Sequence, residues 1–228
     1  MDPATILTCG DYEQPRTLDE LAVWWHAIHN TYGATREGVI YAREGKGLTK
    51  RFYDEAHPVL AYMRQNPPSS HIRCRIFARD EEADSVYLDP TGAVVRKFQV
   101  TMAIDGRTEK LRRRQLTRDG HVDGLAKLND EDEIPGFDAD ENPNTPAAFD
   151  QYSRIKEMSD QISSALKKKI AKGYGSQFTL IVGFDDSTFD PANLPAFQQH
   201  VACQPHTFSE IYIVGVLGRL GWVEYCRK

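Results

Sequence analysis

The chain has 228 residues, 40% of them hydrophobic and with ten Phe and ten Tyr, enough for one generous domain with a real core. A net charge of −5 argues against a protein coated in nucleic-acid-binding surface, though not against a local basic patch. No apolar run is long enough to span a bilayer, the opening Met1-Asp2-Pro3-Ala4-Thr5 lacks the pattern of a secretory signal, and the four cysteines show no CxxC or zinc-ligand spacing, so a cytoplasmic protein with reduced thiols is expected.

Residues 1–16 carry weak pattern and are expected to form a short strand or coil. Thr17-Leu18-Asp19-Glu20 reads as a capping box, opening a helix with Leu21, Trp24, Trp25 and Ile28 at helical spacing. His26 and His29 lie three apart on it without a visible third ligand, so no metal is assigned there. The paired tryptophans point either to core or to an interface with a protein partner or a second copy. Gly33 to Gly47, glycine-bearing and charged, reads as a loop with one short strand. Residues 1–47 are therefore expected to be a helical N-terminal extension of a core spanning 48–228. A second helix, Leu48 to Gln65, carries Phe52, Ala56, Val59, Leu60 and Met63 as its stripe, and Pro58 within it predicts a kink or a start there.

His71 to Arg79 alternates Ile72, Cys74, Ile76 and Ala78 against Arg73, Arg75, Phe77 and Arg79, which predicts a strand with a basic face. Ser85 to Leu88 and Val94 to Ala103 are strand-like runs joined by the turn Asp89-Pro90-Thr91-Gly92. Alternation puts Lys97, Gln99 and Thr101 on one face and Phe98, Val100 and Met102 on the other, with Asp84 at the start of the neighbouring strand. That gathering is either a site or the wet face of a half-exposed sheet. Arg107 to Asp119 reads as a helix in which cations surround only Leu111 and Leu116, a solvated face or a phosphate-facing one. Residues 129–146 are acidic and aperiodic, the pattern of a mobile insert. Phe149 to Lys172 returns to helical periodicity and ends in Lys167-Lys168-Lys169, cations that complement the helix dipole, before Gly173. Gln177 to Phe184 and Glu210 to Leu217 read as buried strands, with a short helix from Leu194 to Ala202 between them and an edge strand from Trp222 to Cys226.

The fold class is α/β (α+β), a mixed central β-sheet flanked by helices. In this order, and with these residues, the chain resembles the PD-(D/E)XK nuclease superfamily over roughly residues 48–216. In that superfamily an acid on the first core helix precedes an Asp on the second strand and a (D/E)-x-K tripeptide on the third. The match falls on Glu55 within Phe52-Tyr53-Asp54-Glu55-Ala56-His57-Pro58, on Asp84, and on Gln99-Val100-Thr101. The stretch Q-V-T-M-A-I-D-G also looks like nuclease-like proteins with an E-x-T tripeptide.

The resemblance implies a restriction-endonuclease-like core. It further implies Mg²⁺ or Mn²⁺ held by Asp84, Gln99 and the Val100 carbonyl, with no organic cofactor, acting on the phosphodiesters of nucleic acid. Hard oxygen ligands gather such a cation, which generates hydroxide and neutralises charge on phosphate. Two positions depart from the pattern. Gln99 offers an oxygen without a charge, and Thr101 cannot supply an ammonium. Lys97, on the same strand face, is the candidate substitute, and Lys169 a remoter one. Arg73, Arg75, Arg107, Lys110, Arg112, Arg113 and Arg114 would hold the nucleic-acid backbone.

Three functions remain open from sequence. They are a metal-dependent nuclease, a catalytically inactive nucleic-acid-binding module on the same fold, and a protein-interaction subunit using Trp24, Trp25 and the acidic segment. The motifs GxGxxG, GxxxxGK[ST] and GxSxG do not occur.

Overall fold

The computed structural model describes residues 1–104, 151–187, 189–201, 204–218 and 222–227. The arginine-rich stretch with Arg107, Lys110, Arg112, Arg113 and Arg114, and the acidic segment 129–146, lie outside the described residues. Six strands form one mixed sheet in sequential order: β1 (Arg73–Ile76), β2 (Ser85–Leu88), β3 (Val94–Met102), β4 (Phe178–Phe184), β5 (Glu210–Gly215) and β6 (Trp222–Arg227). The first three pair antiparallel, β3, β4 and β5 run parallel, and β6 closes the far edge antiparallel. The sheet is thus the expected mixed one, flanked by helices on both faces.

The turn between β2 and β3 forms where Asp89 and Gly92 place it. Asp89 Oδ1 accepts from the Thr91 and Ala93 amides at 2.8 and 3.0 Å, and Gly92 takes a φ of 87° that side chains resist. Alternation along β3 then divides two cores. Phe98 and Val100 join Ile181, Tyr212 and Val214 against the helices of the N-terminal half. On the opposite face Val86, Leu180, Val182, Ile211 and Ile213 pack against α6 (Gln151–Ile170) and α7 (Leu194–His200). All seven residues of β4 are buried, as expected of a central strand covered on both sides.

The N-terminal half departs from the sequence reading in two places. Residues 1–16, expected as strand or coil, contain a 3₁₀ turn and α1 (Cys9–Glu13), and only Arg16 makes a bridge, to Cys74 on the edge of β1. The stretch after α2 (Leu18–Gly33), expected as a loop with a strand, is the helix α3 (Arg36–Arg43), capped by Thr35 through its bond from the Gly38 amide at 3.0 Å. Gly38 reads as a breaker in sequence, but here it is a contact residue. A Cβ added there would press on the Tyr32 carbonyl oxygen, so glycine lets α3 dock against the end of α2. Leu7, Tyr12, Leu21, Trp25, Tyr32 and Ala42, all from the first 47 residues, lie in the same apolar cluster as Phe98 and Val100.

The expected Leu48–Gln65 helix forms as one run with an irregular middle: α4 (Thr49–Arg51), a π-helical turn (Phe52–Ala56) and α5 (His57–Gln65). The His57 amide reaches back five residues to the Phe52 carbonyl. Pro58, which has no amide hydrogen to donate and whose ring crowds the fourth carbonyl behind it, follows at once. The kink anticipated at Pro58 is taken up as a wider turn upstream of it. None of the described helices is long and apolar enough to cross a membrane.

Candidate functional site

The site is built where β2 begins. Ser85 pairs with Phe98, and the Asp84 amide also donates to the Phe98 carbonyl at 2.9 Å, so two consecutive residues meet one partner and the chain kinks. The kink aims the Asp84 carboxylate along β3, where Oδ2 accepts from the Val100 amide at 2.7 Å. Gln99, beside Val100, is 3% exposed and fully engaged at both ends of its amide. Its Nε2 donates to the Glu82 carbonyl at 2.7 Å, and its Oε1 accepts from the Lys169 ammonium at 3.0 Å. Lys169 also reaches Asp84 Oδ2 at 3.3 Å, and its ammonium lies 5.7 Å from the centre of the Tyr174 ring. The last turn of α6 therefore delivers a cation that bridges the carboxylate and the amide.

Lys97, the nearer substitute expected from sequence, does not come to this place. It is on the anticipated strand but pairs with Glu82 at 2.7 Å and sits over the Phe178 ring at 5.5 Å. Two residues along a strand amount to about 6–7 Å, and the Glu82 carboxylate is closer. Thr101 is half-buried and lines a separate polar groove of about 680 Å³ between the end of β3 and α6. Of the basic strand residues, Arg75 pairs with Glu13 at 2.9 Å and lies over the Phe77 ring, whereas Arg73 is exposed.

Glu55 approaches from the other side of the sheet end, on the π-helical turn. Arg51 pairs with it at 3.4 Å and also bonds the Arg79 carbonyl at 3.1 Å and the Asp80 carboxylate, which ties this helix to the loop before Asp84. Burial, then the Asp84 carboxylate, push the Glu55 carboxyl up to about 7, and the opposing pull of Arg51 and Lys169 does not offset them. Tyr12 lies close enough for Glu55 to act on it in turn: burial first, then Glu55, raise its phenol well above the ordinary value, and its hydroxyl is buried without a hydrogen-bond partner among the described residues.

A stability prediction follows from Glu55. Because its folded-state pKa is raised, the folded protein binds this proton more tightly than the unfolded chain does. The resulting stabilisation is complete below the ordinary value of 4.5 and is lost as pH rises through about 7. In EDTA-containing buffer, Glu55→Gln should flatten the fall in Tm between pH 4.5 and 7 and leave the variant the more stable protein at pH 8. An unchanged pH profile would show that Glu55 is not strained in this way.

Among the described residues no three His, Cys, Asp or Glu side chains gather as a metal-binding group. A metal here would have to draw on the Gln99 amide oxygen and the Val100 carbonyl as well as on the acids. The chemistry of that donor set suits a hard divalent cation, since every ligand is oxygen. Comparison of the chain with protein-family models, curated proteins and solved structures gave no match. The site must be read from its own geometry.

Of the two places open to the tryptophans, core or interface, Trp25 takes the core and Trp24 packs, half-buried, against it. Trp25 is 6% exposed and stacks on Phe52 at 5.6 Å, and Trp24 meets Tyr12 and Phe52 edge-on beneath the Arg16 guanidinium. Sequence missed the kink at Asp84 and the π-helical turn, because both depend on pairing and packing rather than on local pattern. Lys169 carried a signal, a lysine in the last turn of a helix, but that signal is shared with Lys167 and Lys168.

Proposed function

We propose that the protein is a metal-dependent phosphodiester hydrolase acting on nucleic acid, with a restriction-endonuclease-like core. The observation that supports this reading is the convergence of Asp84, Gln99 and Lys169, with Glu55 opposite, at the end of a mixed sheet. These are the positions that carry the acids in the nuclease pattern, and Lys169 brings the ammonium that Thr101 cannot.

Asp84, the Gln99 amide oxygen and the Val100 carbonyl would hold Mg²⁺ or Mn²⁺, with Glu55 as a further acid. When bound, such a cation supplies a nucleophilic hydroxide and neutralises charge on phosphate. The chain's own groups do the rest. Lys169 neutralises Asp84 in the absence of a ligand and can turn its ammonium toward a phosphate oxygen or an attacking water. Gln99 is oriented by its bond to the Glu82 carbonyl, and Asp84 by the Val100 amide.

One observation favours a second reading. Lys169 already satisfies both Asp84 and Gln99, so the cluster is complete without a metal, as in a fold that has kept its architecture and binds nucleic acid without cleaving it. Calorimetric titration of Mn²⁺ into wild type and Asp84→Ala, followed by cleavage assays on single- and double-stranded DNA and RNA, separates the two. The hydrolase reading expects binding near or below millimolar that is lost in the variant together with cleavage. Absence of heat in wild type, with salt-dependent nucleic-acid binding that EDTA does not alter, would establish the second reading instead.

A further inference from the structure

A second cavity lies apart from this cluster, at the carboxyl ends of the parallel strands. It has a volume of about 930 Å³, within the range of ligand clefts, and reaches Met102 at the end of β3, Ile104 beyond it, Asp185 after β4 and Leu217 after β5. The π-helical turn separates the two places, since Asp54 lines this cleft whereas the neighbouring Glu55 faces Asp84 and Lys169.

Two kinds of side chain make the cleft. One wall is aromatic. His29 stacks on Trp25 with centroids 4.8 Å apart and planes 11° from parallel, and His57 stacks on the same indole at 4.4 Å. Tyr53 stands edge-on to His29, its hydroxyl 3.2 Å from Nδ1, which fixes the exposed imidazole against the wall. The Trp25 indole N–H is buried without an acceptor among the described residues. The mouth is cationic, with Arg43, Lys50 and Arg64. None of the three is in an ion pair among the described residues, and Arg64 instead bonds His26 Nε2 at 2.9 Å. Asp54 and Asp185 also line the cleft, and the Ser187 amide donates to Asp185 at 2.8 Å. Cations outnumber carboxylates, and they stand beside flat rings.

We infer that this cleft binds a nucleoside monophosphate, the base lying against the His29 and Tyr53 rings and the phosphate on Lys50, which stands one helical turn before Tyr53. A ring-bearing anion uses both features at once: stacking against the wall, and charge-assisted hydrogen bonds at the mouth. The site does not involve Asp84 and does not rest on the metal-dependent reading.

Calorimetry at low salt with adenosine 5′-monophosphate, adenosine and inorganic phosphate tests it. The monophosphate should bind saturably and at least about tenfold more tightly than either fragment. Lys50→Ala should lose roughly tenfold or more of that affinity without weakening adenosine, whereas Arg64→Ala, at the far end of the same helical run, should bind as wild type does; both positions are exposed, so an unchanged thermal melt verifies the fold. His29→Ala should lose roughly tenfold through the base. Asp84→Ala should bind the nucleotide as wild type does, so a failed metal site and a failed nucleotide site are told apart. No saturable binding, equal affinity for phosphate alone, or full affinity in Lys50→Ala each overturn the proposal.

Discussion

On the hydrolase reading, Lys169→Met is expected to leave Mn²⁺ binding in place while lowering phosphodiester cleavage by about two to three orders of magnitude. The ammonium bonds Gln99 Oε1 at 3.0 Å and Asp84 Oδ2 at 3.3 Å, so it occupies the oxygens that a metal would claim. Removing it frees those oxygens, and Mn²⁺ affinity should hold or rise. Cleavage should still collapse, because the group that meets the developing charge has gone. The same change should cost about 1–3 kcal/mol of stability without metal, since a largely buried carboxylate and amide lose their shared donor. Added Mn²⁺ should restore part of the lost Tm by mass action. Both readings of the site predict the loss of stability. A variant that cleaves at the wild-type rate would remove Lys169 from the chemistry, and one that no longer binds Mn²⁺ would overturn the competition between metal and lysine.

Phe98→Ala should be the most damaging single truncation in the sheet, costing about 3–5 kcal/mol. Phe98 is fully buried, its ring 4.6 Å from Tyr87 and 5.7 Å from Tyr62, so it holds the antiparallel hairpin to α5. The surrounding rings are themselves fixed: Tyr62 bonds Asn66 and Arg96, and it packs on Tyr212 at 4.9 Å. They cannot collapse into the space left behind, so the cavity persists and the loss stays near the upper end. For a chain of this size the melting temperature should fall by roughly 10 °C. A drop of only one or two degrees would mean that the hairpin packs more loosely than its rings suggest.

Much of this architecture was legible in the residues. The capping box at Thr17 and Glu20 forms, β2 and β3 lie where their alternation and the Asp89–Gly92 turn put them, and Phe98 and Val100 face the core. Local chemistry governs each of these. The approach of Lys169 was less legible, because it depends on where α6 docks across the sheet. Lys97 looked better placed since strand alternation is visible and a neighbouring carboxylate such as Glu82 is not weighed by it. The helix α3 was read as loop because glycine in sequence signals freedom equally at a turn and at a tight helix contact.

The π-helical turn has a consequence for what lies ahead of it. Pro58 follows the wider turn at once and is itself wedged against the central strand: a Cβ added at Gly183 would come within 2.7 Å of its ring. Each residue advances a regular helix by about 100°. Deleting Tyr53 or Asp54 while α5 stayed seated would keep Glu55 in register and turn Arg51, upstream, by about that angle, away from the Arg79 carbonyl and the Asp80 carboxylate that it bonds. A proline held on the central strand thus sets how the N-terminal helices are clamped to the loop before Asp84, and a single-codon loss would release that clamp and leave the acid where it stands.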